Sequence, residues 1–225
     1  SGKDKASSHL YTDVNATMST YFRLDIGVIP ELAHFEHFLY TDTDVIFRKD
    51  VNYFTQPVLP DSIQMGYETE DTYPLNAGVY LASMKFLRET HTELIHMLLS
   101  SFNVRDKIYG PGDQGILNRM YEGQLKSNGP LIASLNSKPY KPFLSEAAIV
   151  HFHGPKIHDY VQFAQSGTCR FRNLCRKGLE NGFCRYFSEI RDVVQSYSSV
   201  LFDRDDEYTM HRWCKRQNTP LIFWG

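Results

Sequence analysis

The spacing of apolar residues predicts at least three helical segments in this chain. The clearest covers residues 84–102, where one face repeats at every third or fourth position. That face consists of Met84, Leu87, His91, Leu94, Ile95, Leu98 and Phe102. Residues 17–29 have the same spacing and end before Pro30, and a further helix is predicted near "GPGDQGILNRMY", with Pro111 close to its first turn.

Short runs of β-branched and aromatic residues predict strands between these helices. They cover residues 35–40, 63–68, 77–82, 131–135 and 148–152. The segment after residue 157 is expected to be helical or irregular. Strands that alternate with helices indicate an α/β fold, with a sheet that carries helices on its faces.

Composition and charge narrow the class of protein. The chain has 225 residues, of which 42% are hydrophobic and 22% charged, enough for one substantial globular domain. Its net charge of −2 offers no basic field for nucleic acid, so no nucleic-acid partner is expected. No apolar run approaches the ~18 residues of a membrane span, and any membrane contact would need an anchor absent from this chain.

The cysteines are confined to the last part of the chain. Cys169, Cys175, Cys184 and Cys214 lack the paired spacing of a zinc site, and their even number favours two disulfides with three possible pairings. The alternative is four thiols in a reducing cytosol. The sequon at Asn15 agrees with a glycoprotein of the secretory lumen.

Two carboxylates interrupt an apolar run in "FLYTDTDVIF". On an extended backbone Asp42 and Asp44 project to one side and Thr43 to the other. Two like charges this close repel each other unless a cation lies between them, and a hard divalent ion with oxygen ligands meets that need. The alternative is a solvated turn, in which aspartate is common.

A second polar segment, "IVHFHGPK", follows an apolar strand and places His151 and His153 on the same side. An imidazole can complete the coordination of Mn²⁺, Gly154 allows close approach of backbone to a phosphate, and Lys156 offers it a charge. An ordinary Gly-Pro turn with two incidental histidines is the alternative.

Three further segments carry candidate polar groups. Asn76, in "PLNAGVYLAS" with Gly78, could bind sugar hydroxyls through its amide or could simply form a turn. Asp113 and Gln114 open a helix, where Asp113 could face a ligand or merely cap the helix. Arg23 could reach a phosphate or a metal-bound aspartate, or lie on the surface with a buried stem.

Taken in order, the segments "STYFRLDIGVIPEL", "FLYTDTDVIF", "NAGVYLAS", "GDQGILN" and "VHFHGPK" resemble the serial motifs of retaining GT-A glycosyltransferases of the family 8 type. The resemblance covers roughly residues 15–160. It implies a GT-A, Rossmann-like α/β catalytic domain over 1–160 and a cysteine-containing extension over 161–225, packed on the same domain. It also implies transfer of a sugar from a nucleotide diphosphate sugar, expected to be a UDP-sugar, to a glycan or glycoprotein acceptor in the Golgi.

The resemblance assigns the metal and diphosphate ligands residue by residue. Asp42 and Asp44 would be the Asp-x-Asp motif that holds Mn²⁺ or Mg²⁺ against the donor diphosphate, and Asp42 would also touch the donor. His151 would be the third metal ligand. Gly154 and Lys156 would meet the diphosphate, although the family usually spaces its final glycine and lysine further apart.

The resemblance also assigns the donor-sugar site. Asn76, Gly78, Asp113 and Gln114 would hold the donor sugar, with Asp113 and Gln114 as the candidate catalytic residues. Arg23 would lie near the donor phosphate or the first aspartate. The family begins with a βαβ unit of ~30 residues upstream of the "YFRL" helix, and we expect that nucleotide-binding unit to be missing or truncated here. The chain would then be a fragment of a longer enzyme, a reduced form, or a domain that another segment completes.

Two rival functions follow from the same residues. A metal-dependent phosphohydrolase would use the two aspartates with additional acidic ligands, which only Glu68, Glu70 and Asp71 could supply. A catalytically inactive carbohydrate-binding fragment would agree with a missing first half. The aromatic residues of the tail, Trp213 among them, could line an acceptor groove or could pack the disulfide-braced extension.

Overall fold

The structure of the protein, a computed structural model, describes residues 20–50, 59–68, 74–101, 108–197 and 204–216. The chain divides into two compact units, Ser1–Asp42 with Asn52–Ala133 and Thr43–Val51 with Ser134–Gly225. Both helices and strands are present, which confirms the predicted α/β class. The sequon at Asn15 lies outside the described residues.

The strands of the described residues are short except for one. They are β1 (His37–Thr41), β2 (Val45–Phe47), β3 (Ile63–Tyr67), β4 (Leu75–Ser83) and β5 (Ile149–His151). All but β2 overlap a strand that the sequence predicts, and β2 lies in the apolar run "VIF" that follows the two aspartates. The predicted alternation of strands with helices is met only in part. Among the described residues β1 to β4 follow one another without a helix between them, and helical segments then precede and follow β5.

The helices differ in length and type. The α-helices are α1 (Met84–Ser101), α2 (Gly112–Met120), α3 (Glu122–Asn128), α4 (Ile157–Ser166), α5 (Arg172–Glu180), α6 (Phe183–Tyr197) and α7 (Arg204–Arg216), and the 3₁₀ helices are Phe22–Val28, Pro30–Leu32 and Ala133–Leu135. Among the described helices, none combines the length and the apolar character that crossing a bilayer would require.

The first unit is built around β4, the central strand of an antiparallel sheet in the order β1-β4-β3. Eight of its nine residues are buried, which agrees with a strand covered on both faces. A register shift between Met65 and Gly66 interrupts the pairing of β3 with β4. Since β4 is fixed from both sides, the polar residues at its entrance have defined positions.

Helix α1 covers this sheet with the face that the sequence predicts. Met84, Leu87 and Leu94 of that face are buried in the core of the first unit, together with Leu24 and Ile26 of the 3₁₀ helix Phe22–Val28. His91 lies at the edge of the same face, where its Nε2 is 2.9 Å from Asp25 Oδ1. Phe102, the last predicted member of the face, lies outside the described residues.

The second unit has a small antiparallel sheet of β2 and β5 and a separate core. Val45 pairs with His151 in this sheet, and Phe47 pairs with Ile149. Buried residues from β5 and from helices α4 to α7 share this core, and they include Val150, Tyr160, Phe183, Ile190 and Met210. The described part of the segment after residue 157 is therefore mainly helical.

Both predicted disulfides are present in the second unit, and they decide between the three possible pairings. Cys169 is joined to Cys175, and Cys184 is joined to Cys214. The second bond links α6 to α7, and both of its cysteines are fully buried. Disulfides of this kind are typical of proteins in an oxidising compartment.

One predicted strand is wrong. Residues 131–135 were expected to be extended, but Ala133–Leu135 is a 3₁₀ helix. The segment forms single backbone bonds, from Leu131 N to Met65 O and from Ala148 N to Ser134 O, instead of a ladder. Apolar residues alone do not make a strand when no neighbouring chain supplies a continuous row of partners.

Helix α5 packs so closely on Tyr160 that its Gly178 has no room for a side chain. A Cβ at Gly178 would lie 2.3 Å from Tyr160 Cε1. We expect Gly178→Ala to lower the free energy of unfolding by about 1–3 kcal/mol, because the buried ring must shift to accept the methyl group. Urea unfolding followed by circular dichroism measures this change.

Gly123→Ala is the matched control, because Gly123 also lies in a helix and a Cβ there would meet nothing within 4 Å. It should raise stability by up to about 1 kcal/mol through helix propensity alone. An equal effect of the two substitutions would contradict the packing that the structure describes.

Candidate functional site

The acidic doublet lies where the chain leaves β1 and enters β2. Asp42 N donates to Gly78 O at 2.7 Å, which extends the pairing of β1 with β4. Phe152 N donates to Asp44 O at 2.8 Å, which extends the pairing of β2 with β5. Asp42 is the last residue of this segment in the first unit, and Asp44 belongs to the second. The backbone of each aspartate is thus fixed by its own sheet.

In the first unit, Asp42 belongs to a cluster centred on Arg23. The Arg23 side chain is only 7% exposed, with its Nη2 3.0 Å from Asp42 Oδ1 and its Nε 2.7 Å from Asp113 Oδ2. Nη1 donates to Ala77 O at 2.7 Å. One buried guanidinium therefore joins the end of β1, the start of α2 and the backbone of β4.

Tyr40, which the sequence analysis did not select, completes this cluster. Its hydroxyl donates to Asp42 Oδ1 at 2.9 Å, and the Arg23 guanidinium lies 4.7 Å from its ring centroid. Burial raises the pKa of Tyr40, against the opposing effect of Arg23, so the phenol keeps its proton and remains a donor. The only sequence signal was its place two residues before Asp42, where it was counted as a strand former.

Asp113 is the most deeply buried carboxylate of the cluster, with 6% of its surface exposed. Burial raises its pKa, the charge of Arg23 opposes that rise, and the nearby Asp42 adds to it. Asp113 lies in the first turn of α2, as predicted. Among the described residues its carboxylate forms an ion pair with Arg23. Its ionised form therefore depends on the guanidinium.

The predicted sugar-binding amides meet at the entrance of β4. Gln114 Oε1 accepts from Ala77 N at 3.1 Å and from Asn76 Nδ2 at 3.3 Å. Asn76 Nδ2 also donates to Glu68 Oε2 at 2.9 Å, and Asn76 Oδ1 accepts from Gly78 N at 3.1 Å. The amides thus form one network in the first unit.

Asn118 holds α2 beside β4, although nothing in its sequence context marks it. It is fully buried, and it accepts from Leu75 N at 2.9 Å and donates to Leu75 O at 2.7 Å. The start of α2 is equally close-packed, since a Cβ at Gly115 would lie 2.2 Å from Gly110 O. These contacts fix Asp113 and Gln114 relative to the strand.

In the second unit, Asp44 is held between a histidine and a lysine. Its Oδ1 is 3.2 Å from His151 Nε2, and its Oδ2 accepts from Lys156 Nζ. Lys156 Nζ also donates to Phe152 O at 3.0 Å. Burial tends to raise the pKa of Asp44, but the hydrogen bonds and positive charges that Lys156 and a protonated His151 supply outweigh it and lower that pKa. Asp44 is therefore ionised at neutral pH.

Asn136 orients His151, and the sequence analysis missed it because it follows the segment that was expected to be a strand. The two residues are 8% and 0% exposed, and Asn136 Oδ1 lies 3.0 Å from His151 Nδ1. Because an amide oxygen only accepts, Nδ1 carries the hydrogen. The other nitrogen of a neutral ring then directs its lone pair to the Asp44 side.

The orientation of His151 toward Asp44 bears on whether these two residues suit a metal ion. A lone pair on His151 Nε2 and a carboxylate oxygen of Asp44 repel each other unless a proton or a cation lies between them. Carboxylate oxygens with one imidazole nitrogen are donors suited to Mn²⁺. Asp44 and His151 of the second unit are thus two donors that could take part in holding a metal ion.

The segment after β5 supplies a tight turn and a second imidazole. Gly154 has a φ of 83°, which favours glycine. Lys156 precedes α4 at its N-cap position, and its backbone N donates to Asp159 Oδ2 at 2.8 Å. The rings of His151 and His153 have centroids 5.5 Å apart. The turn therefore brings Lys156 back to Asp44.

Comparison with models of protein families and with curated protein sequences gave no match. Comparison with solved structures gave several. The glycosyltransferase GlyE of Streptococcus pneumoniae TIGR4 aligns with a TM-score of 0.51 and 16% identity, over 88% of this chain and 46% of GlyE. The galactosyltransferase LgtC, in complex with donor and acceptor sugar analogs, aligns with a TM-score of 0.50 and 21% identity, over 70% of this chain and 66% of LgtC.

The chain has the GT-A glycosyltransferase fold. It spans less than two thirds of the length of either neighbour, at 46% and 66%. Of the candidate residues that the sequence predicts, the first unit brings together Arg23, Asp42, Asn76, Gly78, Asp113 and Gln114. The second unit brings together Asp44, His151 and Lys156, and Gly154 lies in the turn between His151 and Lys156. Of the acidic residues considered for a phosphohydrolase, Glu68 binds Asn76, and Glu70 and Asp71 lie outside the described residues.

The Arg23 cluster predicts a pH-dependent loss of stability. Arg23→Met leaves Asp113 buried without its cation, so the folded-state pKa of Asp113 rises further above the ordinary value of 3.8. A raised carboxyl pKa favours folding only while the group is protonated, and that contribution disappears as the pH rises through the folded pKa. We expect the variant to lose about 3–5 kcal/mol at about pH 7 and to recover part of it near about pH 4.5.

Urea unfolding at the two pH values measures this effect. Arg88→Met is the control, because Arg88 is exposed and has one long hydrogen bond to Ala33 O, at 3.4 Å. It should change stability by less than about 0.5 kcal/mol at either pH. If the free energy of unfolding that Arg23→Met loses were the same at both pH values, the ionised form of Asp113 would not depend on the guanidinium.

Proposed function

We propose that this chain is a metal-dependent glycosyltransferase that moves a sugar from a UDP-sugar to a hydroxyl of a glycan or glycoprotein, with retention of configuration. The observation that carries the proposal is the pairing of Asp44 with an imidazole that Asn136 orients, on the GT-A fold. The order of the polar motifs along the chain supports it. The compartment proposed is the Golgi, in agreement with the two disulfides.

Asp42, Asp44 and His151 are the proposed ligands of Mn²⁺ or Mg²⁺. One residue separates the two aspartates, so the chain itself limits the distance between their Cα atoms to about 7 Å. When bound, the ion acts as a Lewis acid toward the donor diphosphate. Asn136 keeps the Nε2 of His151 available, and the lowered pKa of Asp44 keeps its carboxylate ionised.

Lys156 is the proposed diphosphate ligand, and its contact with Asp44 supports that role. Its ammonium now neutralises Asp44. A cation on Asp44 would take over that role and leave the ammonium to the leaving phosphate. Gly154, with its positive φ, provides the turn that lets the backbone approach the phosphate closely.

The Arg23 cluster is the proposed donor-sugar site. Asn76, Gly78 and Gln114 already exchange hydrogen bonds, and their amide groups suit the hydroxyls of a sugar. Asp113 and Gln114 are the proposed catalytic residues. Arg23 keeps Asp113 ionised, so that its carboxylate can stabilise positive charge that develops on the donor sugar.

The first test of this proposal replaces a metal ligand without a change of shape. Asp44→Asn should abolish Mn²⁺-dependent transfer and weaken Mn²⁺-dependent UDP binding at least about 100-fold, because the amide has no charge to offer the ion. Asp42→Asn should act in the same direction. Calorimetric titration with UDP, with and without Mn²⁺, measures binding, and product analysis with a panel of UDP-sugars measures transfer.

Asp61→Asn is the control for charge, since Asp61 is exposed. It should bind and transfer as the unchanged protein does. Full activity of Asp44→Asn would exclude the metal role. Release of free sugar or phosphate in place of transfer would favour a hydrolase, and an absence of both UDP binding and metal dependence would favour an inactive carbohydrate-binding fragment.

The second test addresses the orientation of His151. Asn136→Ala removes the acceptor from His151 Nδ1 while Asp42, Asp44 and His151 all remain. Loss of such a supporting contact typically weakens metal binding about 10–100-fold. We expect that loss in a Mn²⁺ titration of this variant. An unchanged Mn²⁺ affinity would show that Asn136 does not position the imidazole for the ion.

A further inference from the structure

Helices α4 and α7 of the second unit enclose a groove of about 330 Å³. This volume lies within the range of about 300–1,000 Å³ that small-molecule sites occupy. Helix α4 contributes Gln165, and α7 contributes Tyr208, Thr209, Arg212, Trp213 and Arg216. None of these residues belongs to the proposed metal, diphosphate or donor-sugar site.

The groove residues of α7 share one face of that helix, because their spacing follows the helical repeat. On the other side Met210 and Cys214 are fully buried, and Cys214 is bonded to Cys184 of α6. The Trp213 indole meets the Phe163 ring of α4 edge to face, at 6.4 Å between centroids. The walls of the groove are therefore held by a disulfide and an aromatic contact.

One end of the groove is positively charged. Arg212 and Arg216 are exposed and lie one helical turn apart, and neither forms an ion pair within the described part of the chain. Like charges at this spacing repel each other, and an anion between them relieves that repulsion. The planar guanidinium suits carboxylate and sulfate oxygens, to which it can donate two parallel hydrogen bonds.

Asp206, near the start of α7 and outside the groove lining, contacts the groove residue Gln165. Its Oδ1 accepts from Gln165 Nε2 at 2.5 Å. The carboxylate places negative charge at the start of α7, so an anionic ligand is directed to the arginine end. The attraction of a helix C-terminus for cations explains basic residues in the last turn, but it does not explain why aromatic residues accompany them.

Aromatic and hydrogen-bonding groups lie beside the arginines. The Tyr208 ring is 63% exposed, and the Arg212 guanidinium lies 5.9 Å from its centroid. Such a ring offers a flat apolar surface with a polar edge, which suits the C–H face of a sugar. The Trp213 Nε1 is buried and has no hydrogen-bond partner among the described residues, and Thr209 adds a hydroxyl.

We propose that this groove binds an acidic saccharide, one that bears a carboxylate or a sulfate group. The arginines bind the anionic group, and the Tyr208 ring packs against the sugar. Helix α4 begins after Lys156 and reaches Gln165 about 13 Å further along its axis, which leaves room for a donor at one end and a saccharide at the other. The binding does not rest on the proposed transfer reaction.

Calorimetric titration without metal or donor tests the site. The probes are a hyaluronan-derived disaccharide, which bears a carboxylate, a heparin-derived disaccharide, which also bears sulfates, and neutral chitobiose. We expect either acidic disaccharide to bind at least tenfold more tightly than chitobiose, and the two together identify the preferred anion. Arg212→Gln and Arg216→Gln should each weaken that binding at least tenfold.

Lys215→Gln is the matched control, because it removes one positive charge from the same turn of α7 without altering a groove residue. It should weaken binding less than twofold, with UDP binding unchanged in every variant. Equal losses in Lys215→Gln and Arg212→Gln would overturn the proposal, as would equal affinity for chitobiose or no binding of either acidic disaccharide at millimolar concentration. Binding to phosphatidylserine vesicles in place of the disaccharides would identify a membrane surface instead and would also overturn it.

Discussion

A charge removed from water must find an opposite charge nearby, and this constraint governs the candidate site. In the first unit the buried guanidinium of Arg23 lies between Asp42 and Asp113. In the second unit Asp44 lies between His151 and Lys156. Each unit satisfies its own buried charges, and the acidic doublet supplies one carboxylate to each. These pairings depend on the elements that hold the charged groups in place. They are the sheet of each unit, the first turn of α2 and the turn at Gly154.

Much of the fold could be predicted because the signals are local. The amphipathic face of α1 and the runs of β4 and β5 follow directly from the spacing of apolar residues. The failure at residues 131–135 has a physical cause that no local pattern contains. The apolar side chains of Leu131 and Leu135 are buried there without a partner strand, so the same residues pack equally well as a turn of 3₁₀ helix.

The residues of the candidate site also fall into two groups, those that the sequence predicts and those that it does not. The motif residues could be selected because carboxylates, imidazoles and amides at strand ends have few structural uses. Tyr40 and Asn136 could not, because their roles depend on partners far along the chain. Asn136 meets His151 across fifteen positions of sequence, and the Tyr40 ring meets a guanidinium that comes from the 3₁₀ helix Phe22–Val28. Their importance lies in distance and orientation, which composition does not encode.

Under the proposed function, the ammonium of Lys156 on Asp44 has a consequence for an ion that would bind there. An empty carboxylate site usually carries uncompensated repulsion and tends to open or to draw in whatever cation is abundant. Here Lys156 already supplies a positive partner to Asp44, so binding of the proposed ion would exchange one positive partner for another. Such an exchange would lower the net affinity for the ion, and it would leave the Asp44 carboxylate paired whenever the ion is not bound.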